Sequence, residues 1–256
     1  MTVLVLASDL DPTADAVVAA LATRDVSFFR ADLRDYPTRV RLDGNLIEGR
    51  LSATLSSGAR GVELGEIRSI WNRNPSACVL PAAPTAPEHD LARRDVTLGL
   101  GDALASLDVL WVNHPSRCTD ETEPYRRTVA AECGLDVADT SVAALGPVGV
   151  RLTIIGERWF PIAIRARDTS ALIDWRSDPS AFTYNFVPIP DTVVTGVSEY
   201  LRRTRMAYIA VDFVVTPDDR WVMVEADSSP QFACLAAATG APMILAMADL
   251  LMAGAG

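Results

Sequence analysis

Residues 208–227 narrow what this chain can become more than any other stretch. Two apolar runs within it are rich in Val, Ile, Tyr, Phe and Trp. Thr216, Pro217, Asp218 and Asp219 lie between them and favour a tight turn, so the segment is predicted to be a β-hairpin. Side chains alternate faces along a strand, which puts Trp221, Met223, Glu225 and Asp227 on one face. Whether two or four turn residues are left unpaired, opposed positions keep an odd sum, and Asp212 falls on that face, opposite Glu225 or diagonal to it. Asp212, Glu225 and Asp227 are therefore expected to converge.

Carboxylates facing one another across a sheet repel, and their desolvation in an apolar hairpin calls for a positive partner. A hard divalent cation is the simplest. Mg²⁺ suits the case because it takes a few carboxylate oxygens and bridges to phosphates instead of filling a protein cage. The alternatives are acids solvated at strand ends, or acids paired with Arg202, Arg203 or Arg205 just upstream.

A chain of 256 residues can form one large domain or two small ones, and 49% hydrophobic with 22% charged residues is a globular composition. The net charge of -10 and a pI near 4.7 weigh against nucleic acid as a partner. The apolar start at 2–8 is too short to span a membrane and lacks the basic residues of a signal peptide, so a cytoplasmic protein without a membrane partner is expected. Cys78, Cys118, Cys133 and Cys234 are scattered and fit reduced thiols. Neither His89 nor His114 has a metal-ligand neighbour, which disfavours a histidine-based centre.

The chain opens as strand, helix, strand: an apolar run at 2–8, helical spacing over 14–22 with Pro12 at its start, and a strand at 26–30. This favours a parallel α/β sheet. No glycine-rich phosphate loop follows the first strand, so dinucleotide binding is disfavoured. Residues 39–55 are predicted to form a hairpin around Asp43, Gly44 and Asn45. A strand at 67–71, a proline-rich loop over 79–87, a helix over 88–107 and a strand at 109–113 follow. The two strands end alike, in Trp71-Asn-Arg-Asn-Pro75 and Trp111-Val-Asn-His-Pro115. Strand ends are where an open α/β sheet binds ligands, so Arg73 could hold an anion and Asn113 or His114 orient one. Turn chemistry alone is the competing explanation.

A helix is expected over 120–133 with Gly134 as its stop, then a connection over 134–148 and a strand pair at 150–155 and 159–165 around Gly156. Helices are expected at 191–205 and 241–252. Arg151 and Arg165 lie on opposite arms of the strand pair and could both face a polyanion, arginine being suited to phosphate oxygens. Two solvated strand arginines are the alternative.

The order of these motifs, from Trp-x-Arg-x-Pro through Trp-Val-Asn-His-Pro, Val-Arg-Leu-Thr-Ile-Ile-Gly, Asp174-Trp-Arg176 and the Asp212 strand to Val-Glu-Ala-Asp227, resembles the ATP-grasp peptide maturases, in particular the microviridin-type (graspetide) ligases. The resemblance implies an α/β fold with a Rossmann-like pre-ATP-grasp domain over 1–118. A linker helix and a reduced ATP-grasp α+β domain would fill 119–256. It also implies an ATP-dependent ligase: a side-chain carboxylate of a ribosomal precursor peptide is activated as an acyl phosphate, and a hydroxyl or amine attacks to give an ω-ester or ω-amide. ATP and Mg²⁺ would be the cofactors. Arg151 and Arg165 would contact phosphate and serve catalysis, and Asp212, Glu225 and Asp227 would bind metal, Asp227 standing where the family usually has Asn.

Two departures stand out. Glu123 occupies a position that is usually lysine, and only residues 134–149 separate Cys133 from Val150, where the family carries a central subdomain with its phosphate-binding lysine. The alternative is therefore a catalytically silent homologue that binds a peptide or acts as a scaffold, for instance by strand addition at the 39–55 hairpin. A precursor peptide is the expected partner and a homodimer the expected assembly.

Overall fold

The first strand, β1 (Thr2–Leu6), is a continuous apolar run because it is sealed on both faces, with Val3, Leu4, Val5 and Leu6 at 2% exposure or less. The computed structural model describes residues 1–47, 50–73, 99–119, 123–138, 148–167, 175 and 178–254. The chain forms two compact units, Met1–Pro115 with Ala248–Gly256, and Ser116–Met247.

In the first unit, β1 lies parallel between β2 (Phe28–Ala31) and β6 (Ile67–Asn72), and β7 (Leu110–Val112) lies parallel beyond β6. Helix α1 (Pro12–Ala22) starts where Asp11 accepts hydrogen bonds from the backbone N–H groups of Thr13 and Ala14 at 2.9 and 3.0 Å. Strands β3 (Val40–Ile47), β4 (Arg50–Ser57) and β5 (Arg60–Glu63) make a separate antiparallel sheet. Its Val40, Ala53, Leu55 and Val62 share a core with Leu4, Leu6, Phe29 and Ile70.

The expected reversal at Asp43, Gly44 and Asn45 is not there. Pairing runs unbroken from Val40 opposite Ser57 to Ile47 opposite Arg50, and Gly44 sits mid-strand opposite Ala53. A Cβ at Gly44 would stand 2.4 Å from that of Ala53, so close strand approach, not a turn, is what this glycine serves. Of the helix expected over 88–107, residues 99–105 are helical with Leu100 and Leu104 buried; the rest of its first half, the proline-rich loop, Asn74 and Pro75 lie outside the described residues.

The second unit contains α2 (Pro115–Thr119, of which Pro115 belongs to the first unit), α3 (Glu123–Glu132), β8 (Asp136–Val137), β9 (Val148–Ile155), β10 (Arg158–Ala166), β11 (Phe182–Phe186) and α4 (Asp191–Thr204). After these come β12 (Tyr208–Val215), β13 (Trp221–Asp227), α5 (Ala233–Thr239) and α6 (Met243–Ala253). The single helix expected over 120–133 is thus α3 preceded by the short α2, and Gly134 ends α3 at φ 82°.

The sheet order is β11-β10-β9-β12-β13-β8, antiparallel except for the last pair. One face carries Val150, Leu152, Ile154, Ile209, Val211 and Phe213 onto Val193, Val197 and Tyr200 of α4 and Val129 and Ala130 of α3. Alternation sends Arg151, Thr153 and Asp212 to the other face.

Residues from Ala248 onward complete the first unit, although the sequence reading placed them in a contiguous second domain. The Ser69 hydroxyl donates to the Leu251 carbonyl at 2.7 Å, and Arg24 pairs with Asp249 at 3.3 Å. Among the described residues no helix is long and apolar enough to cross a membrane.

Candidate active site

The turn of the β12 and β13 hairpin is odd, with Pro217, Asp218 and Asp219 inside it, where two or four residues were expected. Thr216 and Arg220 close it, with Thr216 N–H donating to the Arg220 carbonyl at 2.9 Å. Near the turn Val215 faces Trp221 and Phe213 faces Met223. A bulge between Asp212 and Phe213 then absorbs Val224, and beyond it Asp212 faces Glu225 and Ala210 faces Asp227. The predicted single face for Trp221, Met223, Glu225 and Asp227 is therefore split: Met223 is buried in the core, whereas Glu225 is exposed beside Asp212.

Arg151 organises this face. It lies on β9 opposite Asp212, and its side chain is 1% exposed. Its Nη1 donates to Asp212 Oδ2 at 3.1 Å and its Nη2 to Asp227 Oδ2 at 3.2 Å, so one guanidinium ties three adjacent strands together. The Asp227 Oδ1 accepts from the Ser229 N–H at 2.9 Å, which engages both oxygens of that carboxylate and fixes the start of the loop after β13. The Tyr208 hydroxyl anchors the same loop by donating to the Pro230 carbonyl. Trp175 lies against Arg151, its ring centre 5.4 Å from Cζ.

Two expectations are corrected here. Among the described residues no group of three or more His, Cys, Asp and Glu side chains is arranged to hold a metal ion. Asp227 is spoken for, with Oδ2 held by Arg151 and Oδ1 by the Ser229 N–H, whereas Arg151 engages Asp212 at Oδ2. What remains is the facing pair Asp212 and Glu225, two hard oxygen donors, and this fits Mg²⁺, which is commonly held by one or two carboxylates plus substrate phosphates.

Arg165 does not join Arg151. Arg151 faces Ile162, so Arg165, three positions on, projects from the opposite face of the sheet, where it is exposed.

Two of the three arginines offered as alternative partners of the acids are occupied elsewhere. Arg202 and Arg203 both pair with Glu199, at 2.7 and 2.8 Å, and Arg203 also reaches Glu132 at 3.0 Å. These hydrogen bonds, Arg202 first, hold the Glu199 carboxyl down at about 2. Arg205 ends α4 in the left-handed conformation at φ 55°.

In the first unit Arg73 already has an internal anion. Its Nε donates to Asp11 Oδ2 at 2.9 Å, with side-chain exposures of 2% and 7%, and its guanidinium lies 5.9 Å from the Trp71 ring. Asn113 is buried, and His114 meets Trp111 edge-on at 5.0 Å. Neither Asp11 nor Trp175 is among the residues expected to act from the sequence. Trp175 stood inside a quoted motif, but nothing local marks it as a partner of a residue on a distant strand; Asp174 and Arg176 lie outside the described residues.

Residues 2–118 match the family model described as the MvdD pre-ATP grasp domain. The whole chain has the fold of ATP-grasp ligases. It is similar to the macrocyclase MdnC of Microcystis aeruginosa MRC, solved with precursor peptide MdnA, at 18% identity and TM-score 0.81 over 99% of either chain. Macrocyclase MdnB of the same organism matches at 16% identity and TM-score 0.80 over 98% of each chain. A RiPP-associated ATP-grasp ligase from Chryseobacterium gregarium, solved with ADP and a leader and core peptide, matches at 16% identity and TM-score 0.82 over 98% of this chain and 96% of that one. No curated protein matches the chain by sequence.

Proposed function

We propose that the chain is an ATP-dependent ligase that acts on a ribosomal precursor peptide, activating a side-chain carboxylate as an acyl phosphate for attack by a hydroxyl or amine. The observation that carries this reading is the acid face of the second sheet, where Asp212 faces Glu225 and Arg151 holds Asp212 and Asp227 in place, within the fold of ligases solved with nucleotide and peptide. Bound Mg²⁺ and ATP would supply the phosphoryl group and screen its charge. Asp212 and Glu225 would hold the cation. Arg151 keeps Asp212 from swinging away, and Asp227 sets the loop at Ser229.

Calorimetric titration with a non-hydrolysable ATP analogue, with and without Mg²⁺, tests the reading. The wild-type chain binds in a Mg²⁺-dependent manner, and Asp212→Asn abolishes that dependence. Unchanged binding in Asp212→Asn removes the metal assignment.

A further inference from the structure

We propose that Trp175 is a positioning residue for the nucleotide site, its indole fixing the plane of the Arg151 guanidinium; this rests on the ligase reading above. Arginine is a long side chain with many rotamers, and holding it in one geometry needs more than charge. The two ion pairs, at 3.1 and 3.2 Å, fix one edge of the guanidinium. They leave it free to hinge about the line joining Nη1 and Nη2. The Nε, which would otherwise stop that hinge, is buried and has no hydrogen-bond partner among the described residues. The aromatic ring 5.4 Å from Cζ constrains it instead, attracting the cation from one face and excluding water from it.

The consequence reaches the acids. Asp212 and Asp227 are 24% and 34% exposed, so water competes for both carboxylates, and a dry, immobile guanidinium holds its edge of each against that competition. Without the ring, the guanidinium hinges, water enters, and Asp212 is no longer held facing Glu225. Trp175 thus acts on the nucleotide site through Arg151.

The test compares Trp175→Phe, which keeps an aromatic face, with Trp175→Leu, which keeps apolar bulk without one. Each is titrated calorimetrically with Mg²⁺ and the non-hydrolysable ATP analogue after near-UV circular dichroism has shown a native fold; Trp175→Met replaces the Leu variant if that one does not fold. Leu weakens binding about tenfold while Phe stays within about threefold of wild type, as expected for loss of a desolvated cation–π contact. Wild-type affinity in the Leu variant overturns the proposal. So does equal weakening by Leu and Phe, which would make the ring mere filling. A wild-type chain that binds no analogue overturns the ligase reading itself, and the proposal with it.

Discussion

Arg151→Met is the most informative single change, because it removes the cation that pairs with Asp212 and Asp227 while keeping most of the side-chain volume. Two charge-assisted hydrogen bonds at 3.1 and 3.2 Å are lost. Breaking a fully buried pair costs about 3–5 kcal/mol, since the abandoned charge stays dry. Here the carboxylates keep 24% and 34% exposure and can rehydrate, and the methionine no longer has a charge to desolvate, which lowers the cost to about 2–3 kcal/mol. With a urea m-value of about 2 kcal/mol/M for a unit of this size, the midpoint falls by about 1–1.5 M. Urea unfolding of the whole chain, followed by far-UV circular dichroism, measures it. Arg151→Lys recovers about half, because one ammonium reaches one carboxylate at a time where the fork reaches two. A Met variant with the wild-type midpoint would refute the account of the sheet face, and a fully restored Lys variant would refute the argument from fork geometry.

Two further outcomes follow from pairs elsewhere. Asp11 serves both as the cap of α1 and as the counter-ion of buried Arg73, so Asp11→Asn, which keeps a capping oxygen but loses the charge, costs about 3–5 kcal/mol. Asp11→Ala costs about 1 kcal/mol more; equal melting temperatures for the two variants would show that the cap contributes nothing. Glu199, held at about 2 instead of its ordinary 4.5, lends stability that is present above pH 4.5 and lost as the pH falls to about 2. The stability gap between wild type and Glu199→Gln therefore closes across that window, and a gap unchanged at pH 2 contradicts the pairing.

Much of the second sheet is legible in the sequence because alternation is a local property. The facing of Asp212 and Glu225 was nonetheless expected from a turn of two or four residues, whereas the structure has an odd turn whose extra residue is offset at Val224. A bulge leaves no mark in an apolar run, since Val suits either side of the shift. Arg165 is the opposite case. The reversal at Gly156 and Glu157 pairs Ile155 with Arg158, and counting outward from it puts Arg151 and Arg165 on opposite faces, so the separation was there to be read. The Arg151 contacts with Asp227 and Trp175 were not, because they join residues far apart in sequence and depend on the strand order β9-β12-β13. Gly44 misled for a related reason: Asp-Gly-Asn has the chemistry of a turn, and only the neighbouring Ala53 shows that the glycine is there for clearance.

The helix end that caps the first unit has a temporal consequence. Ser69 on a central strand and Arg24 just past the end of α1 find their partners at Leu251 and Asp249, 182 positions away in the case of Ser69. During synthesis the first unit emerges from the ribosome early yet lacks the segment that closes it until the second unit has followed. Its parallel sheet must wait with one flank uncovered, so the nascent chain is most exposed to aggregation and to proteases while residues 116–247 are being made, and a fragment ending at Pro115 inherits that condition permanently.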